Sequence, residues 1–187
     1  MTQPSLHVRI GGMRNIYLIG FMGTGKTSVG RQVATHTTRT FIDLDENIEL
    51  QEKRSIADIF AKEGEPYFRR IEKELLQEVS REDDRVVACG GGIIIDKDNI
   101  ATMKATGRII CLHARVDVIL ARTGPHTHRP LLRVENQKEQ IEALLARRAH
   151  LYALADVTID TSSLSVTQVA EKIIALNETT TYGTQMT

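Results

Sequence analysis

Residues Gly20-Phe21-Met22-Gly23-Thr24-Gly25-Lys26-Thr27 match the spacing G-x-x-x-x-G-K-[ST] at every fixed position. That spacing suits one task, the wrapping of backbone around a chain of phosphates. Glycines let the loop turn its N–H groups toward phosphate oxygens, and a following helix adds partial positive charge from its N-terminus. Lys26 has the reach for the β- and γ-phosphates, and the Thr27 hydroxyl is a ligand for Mg²⁺. The flanks agree: the apolar run Asn15–Gly20 reads as a β-strand, and an amphipathic helix is predicted from about Gly25 to His36. The loop alone separates neither ATP from GTP nor a kinase from a switch or a motor.

Further along, Asp43-Leu44-Asp45 closes an apolar run read as a second strand, Thr40–Leu44. Strand alternation would put Asp43 and Asp45 on one face. Two carboxylates there suit Mg²⁺ held through water and a proton accepted from a substrate hydroxyl; the plainer reading is a strand end with one residue capping the next helix. Gly90-Gly91-Gly92 follows the strand Arg85–Cys89, where glycines permit close approach of a ligand and expose N–H groups to an anion. Arg148 lies four residues after Leu144 and three before Leu151, on the apolar face of its helix. A cation there needs an anionic partner or a route to water, whereas Arg147 turns to solvent. Arg69 stands three residues before Glu72, within reach of an ion pair, and periodicity leaves open whether Arg69 or Arg70 faces a cleft. Arg129 sits in a loop, Gly124–Glu135, from which an arginine could close over a transferring phosphoryl group. His126 and His128 flank it without a third ligand and carry no assigned role.

The elements that must position these residues alternate along the chain. Short apolar runs, ending in Arg108–His113 and Val157–Asp160, are separated by helical stretches: a short one opened by Ser55, one from the Gly64–Pro66 break to about Arg81, then Lys97–Thr106, Val116 onward, Gln137–Tyr152 and Val166–Leu176. This is the signature of an α/β fold, a doubly wound five-stranded parallel sheet flanked by helices. Ligands in such sheets bind beyond the carboxyl ends of the strands, and Gly20, Asp45 and Gly90 all fall there. At 187 residues the chain suits a single domain with one core. The expected boundaries are an extension at 1–12, a domain at 13–176 and a frayed polar tail at 177–187. Twenty-four basic residues balance 24 acidic ones, which argues against a large nucleic-acid footprint. No apolar run reaches membrane-spanning length, and Cys89 and Cys111 lie inside apolar strands as inert core thiols. The expected compartment is the cytoplasm, and the expected state a monomer.

With these residues assembled, the chain resembles the shikimate kinase family. The matching segments are GFMGTGKTSVGR (20–31), FIDLD (41–45), IADIFAKEGEPYFRRIE (56–72), VVACGGG (86–92), RTGPHTHRPLL (122–132) and ARRAHLY (146–152), in family order and at family-like spacing. The resemblance implies a P-loop kinase with a mobile lid, moving a phosphoryl group from MgATP to the 3-hydroxyl of shikimate in aromatic amino-acid (chorismate) biosynthesis. It implies that Gly23, Thr24, Gly25, Lys26, Thr27 and Ser28 hold the ATP phosphates, with Thr27 and, through water, Asp43 at Mg²⁺. Asp45 would bind the substrate hydroxyls and act as base, Arg69 and Arg148 would grip the carboxylate, and Gly90, Gly91 and Gly92 would pack against the ring. Arg129 would close from the lid and Arg122 would lie near the nucleotide base. The segment 161–165, Thr-Ser-Ser-Leu-Ser, departs from the family pattern by lacking an arginine to stack on the base. A sugar-acid kinase, gluconate being an anion with hydroxyls too, and a nucleotide-binding regulatory module are the competing readings.

Overall fold

The computed structural model describes residues 14–123 and 137–182. The strands β1 (Asn15–Ile19), β2 (Thr40–Asp43), β3 (Arg85–Ala88), β4 (Gly107–His113) and β5 (Val157–Asp160) form one sheet in the order β2-β3-β1-β4-β5. Every pairing is parallel. Helices α1 (Lys26–Thr37), α2 (Leu44–Glu52), α3 (Ile56–Val79), α4 (Lys97–Thr106), α5 (Val116–Thr123), α6 (Gln137–Tyr152) and α7 (Val166–Tyr182) make the crossovers, with a 3₁₀ turn at Ile93–Ile95. The doubly wound sheet expected from the sequence is the sheet observed.

Both faces of β1 are covered, so all five of its residues are buried. Tyr17 and Ile19 pack with Leu76, Ile94 and Met103 on one face, while Ile16 and Leu18 meet Val29, Val33 and Val169 on the other. Truncating one such residue to alanine would cost about 2–5 kcal/mol, a large share of a domain's stability. The two polar residues of β1 are satisfied at the end of the sheet away from the phosphate loop. Asn15 donates to Glu82 O and accepts from Arg85 N, and the Tyr17 hydroxyl bonds Ser80 and Thr106. Cys89 and Cys111 are buried and free, and burial pushes both thiols up, Cys111 to about 11, as inert core residues require.

Two boundaries differ from expectation in ways that matter for the site. Strand β2 stops at Asp43, not Leu44, because Asp43 is the N-cap of α2: its Oδ1 accepts from the backbone N–H of Asp45 and Glu46 at 3.1 and 3.3 Å. Asp45 therefore lies in the first turn of a helix, and strand alternation does not relate it to Asp43. The two helices expected around Gly64–Pro66 run on as α3 with a kink at Gly64, whose φ of 81° and ψ of 173° suit glycine. Helix α7 continues to Tyr182, past the expected end near 176.

Candidate active site

The phosphate loop joins β1 to α1 and contains Gly23 and Gly25 at φ 75° and 97°, a left-handed region in which a side chain would be strained. Thr24 is buried and its hydroxyl donates to Phe21 O at 2.8 Å, closing the loop on itself. Lys26 Nζ donates to Gly20 O and Phe21 O, 3.0 Å each, which holds the ammonium over the loop. Ser28 is exposed in the first turn of α1.

Thr27 Oγ1 donates to Asp43 Oδ2 at 2.7 Å. One oxygen of Asp43 thus caps α2 while the other faces the phosphate loop. A hydroxyl and a carboxylate side by side at a phosphate site form an oxygen donor set of the kind that Mg²⁺ takes, so these residues fit the ion.

Beside the loop, the glycine run is the point on which α2, α3 and α6 converge. A Cβ on Gly90 would stand 2.7 Å from Asp45 Oδ1 and 2.7 Å from Glu72 Oε1, and a Cβ on Gly92 would collide with the Arg69 guanidinium. The absent side chains at these two positions make room for residues of the site itself. Gly91 is different: its Cβ would meet only Gly20 O, at 3.7 Å, and Met22 N, at 3.9 Å, so the run lies against the phosphate loop. Arg148 Nη1 and the Tyr152 hydroxyl both donate to Gly91 O, at 3.1 and 3.3 Å. Arg148 is half-buried and Arg147 exposed, as their helical positions predict. The choice between Arg69 and Arg70 is also settled. Arg69 reaches the glycine run and bonds Glu65 and Glu72, whereas Arg70 is exposed and pairs with Glu74.

Glu72 belongs to this cleft, although its sequence position suggested only an ion-pair partner. Its side chain is 0% exposed; one oxygen accepts from Arg69 Nη1 at 2.7 Å and the other, Oε1, has no hydrogen-bond partner. Burial raises its carboxyl to about 7, outweighing the attraction of Arg69, and the nearby Asp45 pushes in the same direction. A signal existed: Glu72 is four residues after Phe68 and three before Leu75, both buried, the same placement that singles out Arg148. Arg122, in the last turn of α5, donates to Thr161 and to Gly23 O at the rim of the phosphate loop. Arg129, the lid at 124–135 and the extension at 1–12 lie outside the described residues.

A phosphate loop at the switch point of a doubly wound sheet, opening onto a cleft of paired arginines and carboxylates, defines a P-loop kinase that acts on a small molecule. The family model described as shikimate kinase matches residues 22–177. The shikimate kinase of Thermodesulfovibrio yellowstonii is 48% identical over 87% of this chain and 94% of its own length, and that of Thermoanaerobacter pseudethanolicus is 44% identical over 87% and 95%. Among solved structures, the shikimate kinase of Acinetobacter baumannii in complex with shikimate superposes with a TM-score of 0.86 at 39% identity, covering 90% of this chain and 94% of that one. The chain belongs to the shikimate kinase family: it is an ATP-dependent enzyme that phosphorylates shikimate, with MgATP as donor.

Proposed function

We propose that the 3-hydroxyl of shikimate is activated by Asp45 while Arg69 and Arg148 hold the carboxylate of the same molecule. The observation that carries this reading is the convergence on Gly90–Gly92 of two guanidiniums and the Asp45 carboxylate, directly against the phosphate loop. Shikimate is an anion bearing hydroxyls, and a glycine run flanked by two guanidiniums and the Asp45 carboxylate offers cations for the carboxylate and an acceptor for the hydroxyls. Gly90–Gly92 provide the flat floor for the ring.

On the donor side, the N–H groups of Gly23, Thr24, Gly25 and Ser28 line the phosphates. The Lys26 ammonium, held by Gly20 O and Phe21 O, exchanges these carbonyls for β- and γ-phosphate oxygens. Thr27 and, through water, Asp43 would hold Mg²⁺, which when bound would neutralise charge on the phosphates. Asp45 takes the proton of the attacking hydroxyl, so the oxygen reaches the γ-phosphorus as a better nucleophile. Arg129 closes from the segment after α5 onto the phosphates, and Arg122 stands beside the base. We read the enzyme as a cytoplasmic monomer that meets both substrates as free small molecules, with no nucleic-acid or membrane partner. The balanced charge supports the nucleic-acid part, and a light-scattering mass of a dimer would contradict the monomer.

Asp45→Asn tests the central assignment. Turnover is expected to fall by about 10²–10⁴-fold, the range for a lost general base, with ADP affinity within about twofold of the parent. Normal turnover would remove Asp45 from the chemistry. Arg148→Ala is expected to raise the shikimate KM by about 10–100-fold, as for a charge-assisted bond, and an unchanged KM would remove the carboxylate role.

A further inference from the structure

Thr161 is the first residue after β5 and is 2% exposed. Its hydroxyl accepts from Arg122 Nη1 at 3.0 Å and faces two carbonyls, Thr24 O at 3.2 Å and His113 O at 3.1 Å. Its backbone carbonyl accepts from Arg122 Nη2 at 2.8 Å, and its backbone N–H donates to His113 O at 2.8 Å. One residue therefore joins the phosphate loop, the end of β4 and the last turn of α5. The single proton of the hydroxyl is shared between the two carbonyls and one of its lone pairs takes Arg122, and at 2% exposure the group holds other residues in place instead of meeting a ligand.

What it holds is unusual. Arg122 is exposed, and exposed arginines ordinarily spread over many rotamers. This one is tied by two nitrogens to Thr161 and by a longer 3.4 Å bond to Gly23 O. Those three partners, among the described residues, are neutral, so its charge is fixed in place without being cancelled. A guanidinium bonded in its own plane keeps its faces open, and such a face stacks on an aromatic ring. Its bond to Gly23 O fixes it at the rim of the loop that takes the phosphates.

We propose that Thr161 is a positioning residue for nucleotide binding: it fixes the Arg122 guanidinium at the rim of the phosphate loop so that a purine base stacks on it. The proposal rests on Arg122 standing beside the base, as read above, and it supplies a reason why the segment 161–165 functions without an arginine of its own.

Calorimetric titration with ADP, which needs no turnover, tests it in the full-length protein. Thr161→Val keeps the shape and the backbone bonds but removes the hydroxyl. ADP is expected to bind about five- to tenfold more weakly, the effect of one lost hydrogen bond in a tied network. The shikimate KM and kcat at saturating MgATP should stay within about twofold, and Thr161→Ser should restore ADP affinity. Arg122→Ala should weaken ADP at least as much, and adding Thr161→Val to it should cause no further loss. An ADP affinity unmoved by Thr161→Val, or losses that multiply in the double variant, would overturn the proposal. Should the valine variant fail to fold, Arg122→Lys replaces it, because one ammonium cannot span both the hydroxyl and the carbonyl of Thr161. A matching loss of ADP affinity is then expected, and no loss overturns the idea. Absence of turnover with shikimate beside a normal ADP titration would count against the acceptor assignment alone.

Discussion

Glu72 shows how a single side chain links the stability of this protein to its site. Its carboxyl is held at about 7 against an ordinary glutamate value of 4.5, chiefly by burial. Between those values the folded chain keeps a proton that the unfolded chain has released. The contribution to stability is therefore fully present below about pH 4.5 and lost as pH rises through 7, a change of about 3 kcal/mol at 1.36 kcal/mol per unit. Glu72→Gln, neutral throughout, should lack that slope. Urea unfolding of both proteins at pH 4.5 and pH 8 is expected to shift by about 3 kcal/mol in favour of the variant, and parallel pH curves would contradict the assignment. From the sequence Glu72 is only the ion-pair partner of Arg69, although its place four after Phe68 and three before Leu75, both buried, was a signal that it faces the interior. The geometry of Asp45 was not legible. The apolar run Thr40–Leu44 continues one residue beyond the strand, and only the capping bonds of Asp43 show where the helix takes over.

At the scale of elements, the glycine run shows why a motif can be recognised without being understood. Three glycines after a strand suggested access for a ligand. The structure gives Gly90 and Gly92 a second purpose, space for Asp45, Glu72 and Arg69 arriving from α2 and α3, while Gly91 is needed for its carbonyl. The three positions should then respond differently to a methyl group. Gly90→Ala is expected to push both carboxylates aside and raise the shikimate KM by about tenfold or more, because small misplacements in a site are costly. Gly91→Ala meets only ordinary contacts and should stay within about threefold of the parent. Steady-state kinetics of the two variants decides it, and equal effects would show that the run acts as a flexible hinge. The helices expected near Lys97–Thr106 and about Gln137–Tyr152 are found there as α4 and α6. The kink in α3 was read as a break, since local signals at Gly64 and Pro66 mark a change of direction but not whether the helix resumes.

For the whole molecule, the order β2-β3-β1-β4-β5 is what turns scattered motifs into one site. With β2, β3 and β1 adjacent and parallel, the residues after each strand, Asp43 and Asp45, Gly90–Gly92, and the phosphate loop, must emerge side by side. Alternating strands and helices made that architecture legible, because parallel strands need long crossovers and the crossovers read as helices. The acceptor was less legible from chemistry alone, since gluconate offers the same combination of carboxylate and hydroxyls. Release of ADP by the purified protein with MgATP, measured with shikimate, with gluconate and with neither, tests the account most directly. Release that depends on shikimate and stays at background with gluconate is expected; release with gluconate alone, or none with either despite intact ADP binding, would contradict the assignment of shikimate as acceptor.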